Sequence, residues 1–194
     1  MPRPREFDKD EVISRAMRLF WERGYEATSI RDLIDATGIS SSSMYEVFGD
    51  KRGLFLATLA RFCEQERAQI AQMALDEPEP DEFISRLFGS IEHAIHSQSP
   101  AQGSLAFNAM VEFGTRDPDV TPLLLTHYFG IAQIIADVIR QGQLDGAVSS
   151  GQDPRDLAYA ILSALHGLAT VKGVKPDYPH APAITQIIIQ LLHL

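Results

Sequence analysis

Apolar residues recur along this chain at helical spacing, in segments separated by glycine, proline or clustered acids. The first runs from about Asp8 to Arg23, with Val12, Ile13, Ala16, Met17, Leu19 and Phe20 on one face and Trp21 beside them as packing. Asp8, Asp10 and Glu11 suit the positive end of that helix, and Gly24 stops it. Ile30, Leu33 and Ile34 then share a face at i, i+3 and i+4. Thr28 and Ser29 can both cap this short helix, and Ser29 with Asp32 makes an S-x-x-D capping pattern. Gly38 follows where a left-handed residue ends a helix. Ile39 packs back, Ser40 to Ser43 supply a cap and a small-residue surface, and Met44, Tyr45 and Phe48 complete a second short helix.

Gly49-Asp50 breaks the pattern, and Asp50 is a natural N-cap for a long helix from about Lys51 to Leu75. Two prolines and three acids at 76–80 end it. Further helical segments are expected at 81–97, 101–115 and from about Val120 to Gln141, followed by a polar glycine-rich loop from Gly142 to Asp153. The last two, 154–172 and 182–194, are apolar nearly all round. No run alternates with period two over a useful length, so the expected fold is all-α, without a sheet and without an internal repeat.

Thr28 to Lys51 thus reads as two short helices joined by a tight glycine turn, followed by a third helix, the order of a helix-turn-helix at about 29–48. An ordinary helical hairpin has the same local pattern. A longer correspondence separates the two. An amphipathic first helix is followed by G-Y-x-x-T-S-I-R-D-L-I, A-T-G-I-S and S-M-Y-E-V-F-G-D-K, and from about Asp8 to Leu59 this resembles, without a gap, the N-terminal domain of the TetR family of transcriptional repressors. Gly24, Tyr25, Thr28, Ile30, Gly38, Tyr45, Phe48 and Lys51 carry the resemblance. It implies a DNA-binding domain over 1–52 and a larger helical domain for ligand binding and dimerisation over 53–194.

The resemblance implies DNA contacts from Thr28, Ser29, Ser41, Ser42, Ser43, Tyr45 and Lys51. The serines stand at the start of the recognition helix, where side chains reach base edges. Thr28, as a cap, would offer a hydroxyl and backbone N–H groups to a phosphate, Tyr45 its phenol and Lys51 its charge. Val47 stands where the family often has His or Tyr, and Gly53 replaces an acidic residue common there, so the contact set and operator sequence stay open. In the N-terminal arm, Arg3 and Arg5 either reach a groove or belong to a solubilising tail.

Charge modifies this picture. The chain carries a net −9, against the basic footprint usual for nucleic-acid binders. Residues 1–52 hold nine Lys/Arg and ten Asp/Glu, and residues 53–194 hold eight and sixteen, so the acidity lies mostly outside the helix-turn-helix part. Arg3, Arg5, Lys51 and Arg52 gather where contact is expected. This predicts a small, well-placed set of phosphate contacts and little non-specific affinity.

In the larger part, Phe62, Phe88, Phe107, Met110, Phe113 and Phe129 are candidate apolar walls of a ligand compartment. Asn108, His93, His127, Tyr128 and Gln133 are candidate polar groups to orient a small-molecule inducer. The compartment itself is implied by the resemblance. The apolar last helices call for burial on several sides, either inside one subunit or against a second copy in a four-helix bundle. The resemblance favours the homodimer through about 154–172 and 182–194.

Enzymatic readings find little support. There is no G-x-S-x-G, P-loop or G-x-G-x-x-G, and no cofactor is implied. Of the six histidines, only His93 and His96 approach ligand spacing, without the Glu/Cys partners of a zinc pattern, so no metal is expected. The single cysteine, Cys63, cannot form an intramolecular disulfide and falls on an apolar helix face, read as packing or as a thiol sensor. Some relatives have cysteine in a G-C-L segment; here Gly103-Ser104-Leu105 has serine. The N-terminus lacks the apolar region of a signal peptide, and no uninterrupted apolar run reaches the ~18–20 residues of a membrane span, so a cytoplasmic setting is expected. The resulting expectation is a homodimeric repressor released from a double-stranded DNA operator by an inducer. The alternative is a helical ligand- or protein-binding module that no longer binds DNA.

Overall fold

The computed structural model describes residues 7–96, 103–114 and 116–194, with side chains as far as Ile91 in the first of these segments. Among the described residues there are nine helices and no strand: α1 (Lys9–Arg23), α2 (Ile30–Thr37), α3 (Ser41–Phe48), α4 (Lys51–Asp76), α5 (Pro80–His96), α6 (Leu105–Phe113), α7 (Val120–Asp145), α8 (Pro154–Val174) and α9 (Ala181–Leu191). The described residues pack as two compact units. One is built from the chain up to Cys63 together with Leu105–Leu124, the other from Glu64–Ser104 with Leu125–Leu194. By packing, then, the first unit takes in the opening turns of α4, all of α6 and the start of α7, beyond the 1–52 span read from the motif.

The smaller unit begins at a capped helix. Asp8 accepts hydrogen bonds from the N–H groups of Asp10 (2.9 Å) and Glu11 (3.3 Å), and Gly24 ends α1 at φ 79°. The face predicted to be apolar is buried throughout, from Val12 to Phe20. It packs with Leu33, Ile39, Met44, Leu54, Phe55, Leu59, Phe62 and Cys63, and with Leu105, Ala106 and Ala109 of α6. Rings fill the space beside it: Phe55 lies 5.1 Å from Phe20, 4.9 Å from Tyr25 and 5.2 Å from Phe113, centroid to centroid. Trp21 packs edge-on to Phe62. Cys63 is buried in this core.

Two polar ties bind α6 and the start of α7 to the same unit. Glu112 accepts the backbone N–H groups of Tyr25 (3.0 Å) and Glu26 (2.8 Å), immediately before α2. Arg52, in the first turn of α4, donates to both oxygens of Asp117 and to Asp119 (2.7 Å). Asp117 also accepts the N–H groups of Asp119 (3.0 Å) and Val120 (2.9 Å), so one carboxylate starts α7 and holds α4. These bonds, Arg52 foremost, hold the Asp117 carboxyl well below the usual carboxylate range.

The larger unit is a helical core around α5, α7, α8 and α9, with Phe83, Ile84, Ile135, Ala136, Ile139, Ala158 and Leu162 fully or almost fully enclosed. The chain departs here from one expectation. Gly142 does not open a loop; α7 continues to Asp145 and Gly142 is buried in it. A Cβ at that position would stand 2.5 Å from Pro80 and 2.9 Å from Val148, so the glycine admits a close approach instead of breaking the helix. By length and composition alone α7 and α8 could each cross a bilayer, but their apolar faces supply much of this core. His193 pairs with Asp81 at 3.0 Å, tying the end of the chain to the first turn of α5.

Gly53, where the resemblance leads one to expect an acidic residue, admits a close backbone approach. A Cβ there would stand 1.9 Å from the carbonyl oxygen of Phe48, a backbone atom that cannot move aside. Gly53→Ala is therefore expected to lower the melting temperature and disturb the junction of α3 and α4. Gly89→Ala, in α5 with open space around it, is expected to stabilise by about 0.5–1 kcal/mol. Thermal unfolding followed by circular dichroism separates the two; equal effects would contradict the steric account. For Asp117, a carboxyl whose folded-state pKa is depressed contributes stability above its ordinary value of 3.8, lost as pH falls through the folded-state value. Asp117→Asn is thus expected to melt several degrees below the parent chain near neutral pH, with the gap closing under acid conditions. A pH-independent gap would refute the ion pair as its cause.

Candidate nucleic-acid interface

The glycine turn between α2 and α3 adopts the predicted geometry. Ser29 caps α2 in a complete capping box: its Oγ accepts the Asp32 N–H (3.1 Å) while Asp32 accepts the Ser29 N–H (2.9 Å). Gly38 sits at φ 72°, ψ 6°, the left-handed conformation that closes a helix without a Cβ clash. Leu33 and Met44, each wholly buried, anchor the two helices to α1 and α4. Ser40 caps α3 through the Ser43 N–H (3.1 Å), and Asp50 accepts the Gly53 N–H (2.8 Å) in the first turn of α4. Two eight-residue helices are thereby fixed at both ends.

With Met44 turned inward, the opposite face of α3 is open. Ser41 and Ser42 are exposed, Tyr45 is 47% exposed and Val47 39% exposed. Ser43 is half-buried, and its hydroxyl accepts from Ser40 at 2.9 Å, so it is partly committed to the cap. Lys51 is half-buried with its Nζ 4.2 Å from the centre of the Tyr25 ring, a cation–π contact that holds the ammonium at the start of α4. Lys9, which the motif does not single out, brings a second cation to the same neighbourhood, 5.7 Å from the Phe48 ring.

Two expectations are corrected. Thr28 is completely buried and its hydroxyl donates to the Gly24 carbonyl (2.7 Å), so it is neither the N-cap nor a hydroxyl facing outward. The cap is Ser29, and the carboxylate of Asp32 already occupies that helix N-terminus, held ionised chiefly by the Ser29 hydrogen bonds. Arg52 does not join the basic set either: both its guanidinium arms are engaged by Asp117 and Asp119. Arg3 and Arg5 lie outside the described residues.

The candidate ligand residues divide between the units. Phe62, Phe107, Asn108 and Met110 belong to the smaller one, where Phe62 and Met110 pack in its core. Phe113 joins the Tyr25–Phe55 ring cluster there. Phe88, His127 and Tyr128 belong to the larger unit, Phe88 buried in its core and His127 bonded to Glu66 at 2.8 Å. Phe129 is 51% exposed and Gln133 is exposed, donating to Asp137, so neither is a wall or an inward polar group. The side chains of His93 and His96 lie outside the described residues. Among the described residues no group of three or more His, Cys, Asp or Glu is placed to hold a metal.

Comparison with known proteins agrees with this geometry. Residues 12–58 match the family "Bacterial regulatory proteins, tetR family", from α1 into α4. The chain is 29% identical over 168 residues to the HTH-type transcriptional repressor ComR of Escherichia coli K12, covering 86% of this chain and 80% of ComR. It is 32% identical over 120 residues to the HTH-type transcriptional regulator YezE of Bacillus subtilis, over 62% of each chain. Among solved structures, a cysteine mutant of the TetR family transcriptional regulator CifR complexed with 26-base-pair operator DNA superposes with a TM-score of 0.84. That pair is 27% identical and the match covers 98% of this chain and 100% of CifR. Reduced NemR of E. coli shares the fold at a TM-score of 0.84 and 12% identity, over 94% of this chain and 95% of NemR. Motif, helix order, capping geometry and relatives agree: residues 12–58 form a DNA-binding domain of the bacterial regulatory proteins, tetR family, and the whole chain is similar to TetR family regulators.

Proposed function

We propose that this regulator is a homodimeric, cytoplasmic repressor that binds a two-fold-symmetric operator and releases it when a small molecule binds the larger unit. The observation that carries the reading is the outward face of α3: Ser41, Ser42, Tyr45 and Val47 are exposed on a helix whose other side is locked down by Met44. A family relative, CifR, is known in complex with operator DNA, which supports DNA as the partner. Ser41 and Ser42 face base edges, Val47 offers an apolar contact to a thymine methyl, and Tyr45, Lys51 and Lys9 contact phosphates. Ser29 and Ser43 contribute chiefly by fixing the helices, and Thr28 by closing the loop beneath them.

So few cations and such short hydroxyls read few bases per copy, so specificity comes from two copies at fixed spacing. The surface for pairing is the outer side of α8 and α9. Ala160, Ser163, Gly167, Val171 and Val174 recur along exposed positions of α8, and Ile187 is 56% exposed on α9. Ile188, one residue on, is 8% exposed and belongs to the subunit's own core. Half-sites must match successive major grooves about 34–36 Å apart, so a ligand that favours a differently spaced state releases DNA by population shift. The reading assigns the DNA contacts to 1–52, induction and pairing to 53–194, and no catalytic role to either. The second reading, a ligand- or protein-binding module without DNA affinity, is favoured by the net −9 charge.

Tyr45→Phe is expected to weaken operator binding by about 1 kcal/mol, roughly fivefold, and Lys51→Ala to lower the slope of log affinity against log salt by about 0.9. Fluorescence anisotropy on operator DNA reads both, and two variants indistinguishable from the parent chain would contradict these contacts. Gly167→Glu, at a position where an added Cβ would meet nothing within 4 Å, is expected to give a folded monomer in sedimentation equilibrium. A fully dimeric variant would move the interface elsewhere.

A further inference from the structure

Within the larger unit, a buried polar group is left without a partner. His127 is 3% exposed, with its Nε2 at 2.8 Å from Oε2 of Glu66. The hydroxyl of Ser104 donates to that same oxygen at 3.2 Å. Since a carboxylate only accepts, the shared proton belongs to Nε2, which in the neutral tautomer leaves the lone pair on Nδ1. That Nδ1 has no hydrogen-bond partner among the described residues. A buried acceptor left unmet is destabilising, so the position rewards any molecule that brings it a donor.

The surroundings define what that molecule is. His166, on α8, lies within electrostatic reach of both Glu66 and His127, and its own burial pushes its pKa below the ordinary 6.5. Its ring is therefore uncharged at neutral pH, and the formal charge beside His127 is the Glu66 carboxylate. An anion there would meet repulsion. The neighbouring faces are aromatic: His166 stacks on Tyr128 at 6.0 Å and 24°, and Tyr128 stacks on Tyr159 at 6.3 Å and 7°. We propose that His127 Nδ1 is the recognition point for the inducer, and that the inducer is an uncharged aromatic molecule carrying an O–H or N–H donor. This rests on the ligand-induced reading above and adds the chemical class to it. Ser104 and Glu66 act as positioning residues, fixing the His127 tautomer so that Nδ1 accepts.

The test uses the full chain without DNA and three probes of similar size: phenol, anisole and benzoate. Each is titrated while the histidine ring nitrogens are followed by nitrogen-15 NMR and the melting temperature is recorded. Phenol is expected to move the His127 Nδ1 resonance toward that of a hydrogen-bonded acceptor and to raise the melting temperature. Anisole, which lacks the donor, and benzoate, an anion, are expected to need at least about tenfold higher concentration for the same effect. His127→Phe is expected to remove the preference for phenol over anisole. Equal responses to phenol and anisole, tighter binding of benzoate, or no movement of the His127 resonance with any probe would overturn the proposal, and the spectra of the unaltered chain decide this even where the variant fails to fold. In a separate titration with the DNA recovered by selection, phenol that engages His127 yet leaves DNA affinity unchanged would instead refute induction while leaving the ligand class intact.

Discussion

Helices of eight residues do not persist in water on their own, where isolated helices below about 12 residues are marginal. That constraint shapes the smaller unit. The helices α2 and α3 hold because Leu33 and Met44 are wholly enclosed, Ser29, Gly38 and Ser40 close their ends, and α1 and the first turns of α4 lie beneath them. The support reaches further along the chain than the motif does. The carboxylate of Glu112 on α6 satisfies two N–H groups ahead of α2, and Asp117 engages the first turn of α4 through Arg52. The exposed face of α3 is therefore held in place by residues more than fifty positions away from it.

This arrangement also explains how an acidic chain supports a DNA-reading surface. Most of the negative charge lies after residue 52, and of the cations within the first 52 residues several are committed internally: Arg52 to Asp117 and Asp119, Arg15 to Glu11, Arg23 to Asp32. What remains at α3 is small and mostly neutral. In the proposed function that surface acts through geometry, by pairing two copies, and the ligand acts by shifting the spacing between them. In the proposed recognition, the unpartnered Nδ1 of His127 gives the larger unit a polar chemistry that an apolar core alone lacks.

Much of this was legible in the sequence because the informative signals were local. Capping box, left-handed glycine and the buried stripe of α1 each follow from residues within a few positions of one another, and the structure places them as read. Errors arose where two neighbours offered the same chemistry or where the partner was distant. Thr28 and Ser29 are both hydroxyl residues at a helix start, and only the path of the backbone assigns the cap to Ser29. Gly142 reads as a breaker until Pro80, sixty-two positions earlier, is seen against it. Arg52, Glu112 and the Glu66–Ser104–His127 chain depend on tertiary approach, which no periodicity encodes.

The central claim is that α3 reads DNA as one of a symmetric pair. Selection of bound fragments from a genomic DNA pool by the purified full chain, followed by sequencing, tests it most directly. The account predicts enrichment of short inverted repeats whose half-site centres lie about one helical turn, 10–10.5 base pairs, or a small multiple of it apart. Recovery of fragments with no shared sequence, or of single half-sites without a symmetric partner, would contradict it.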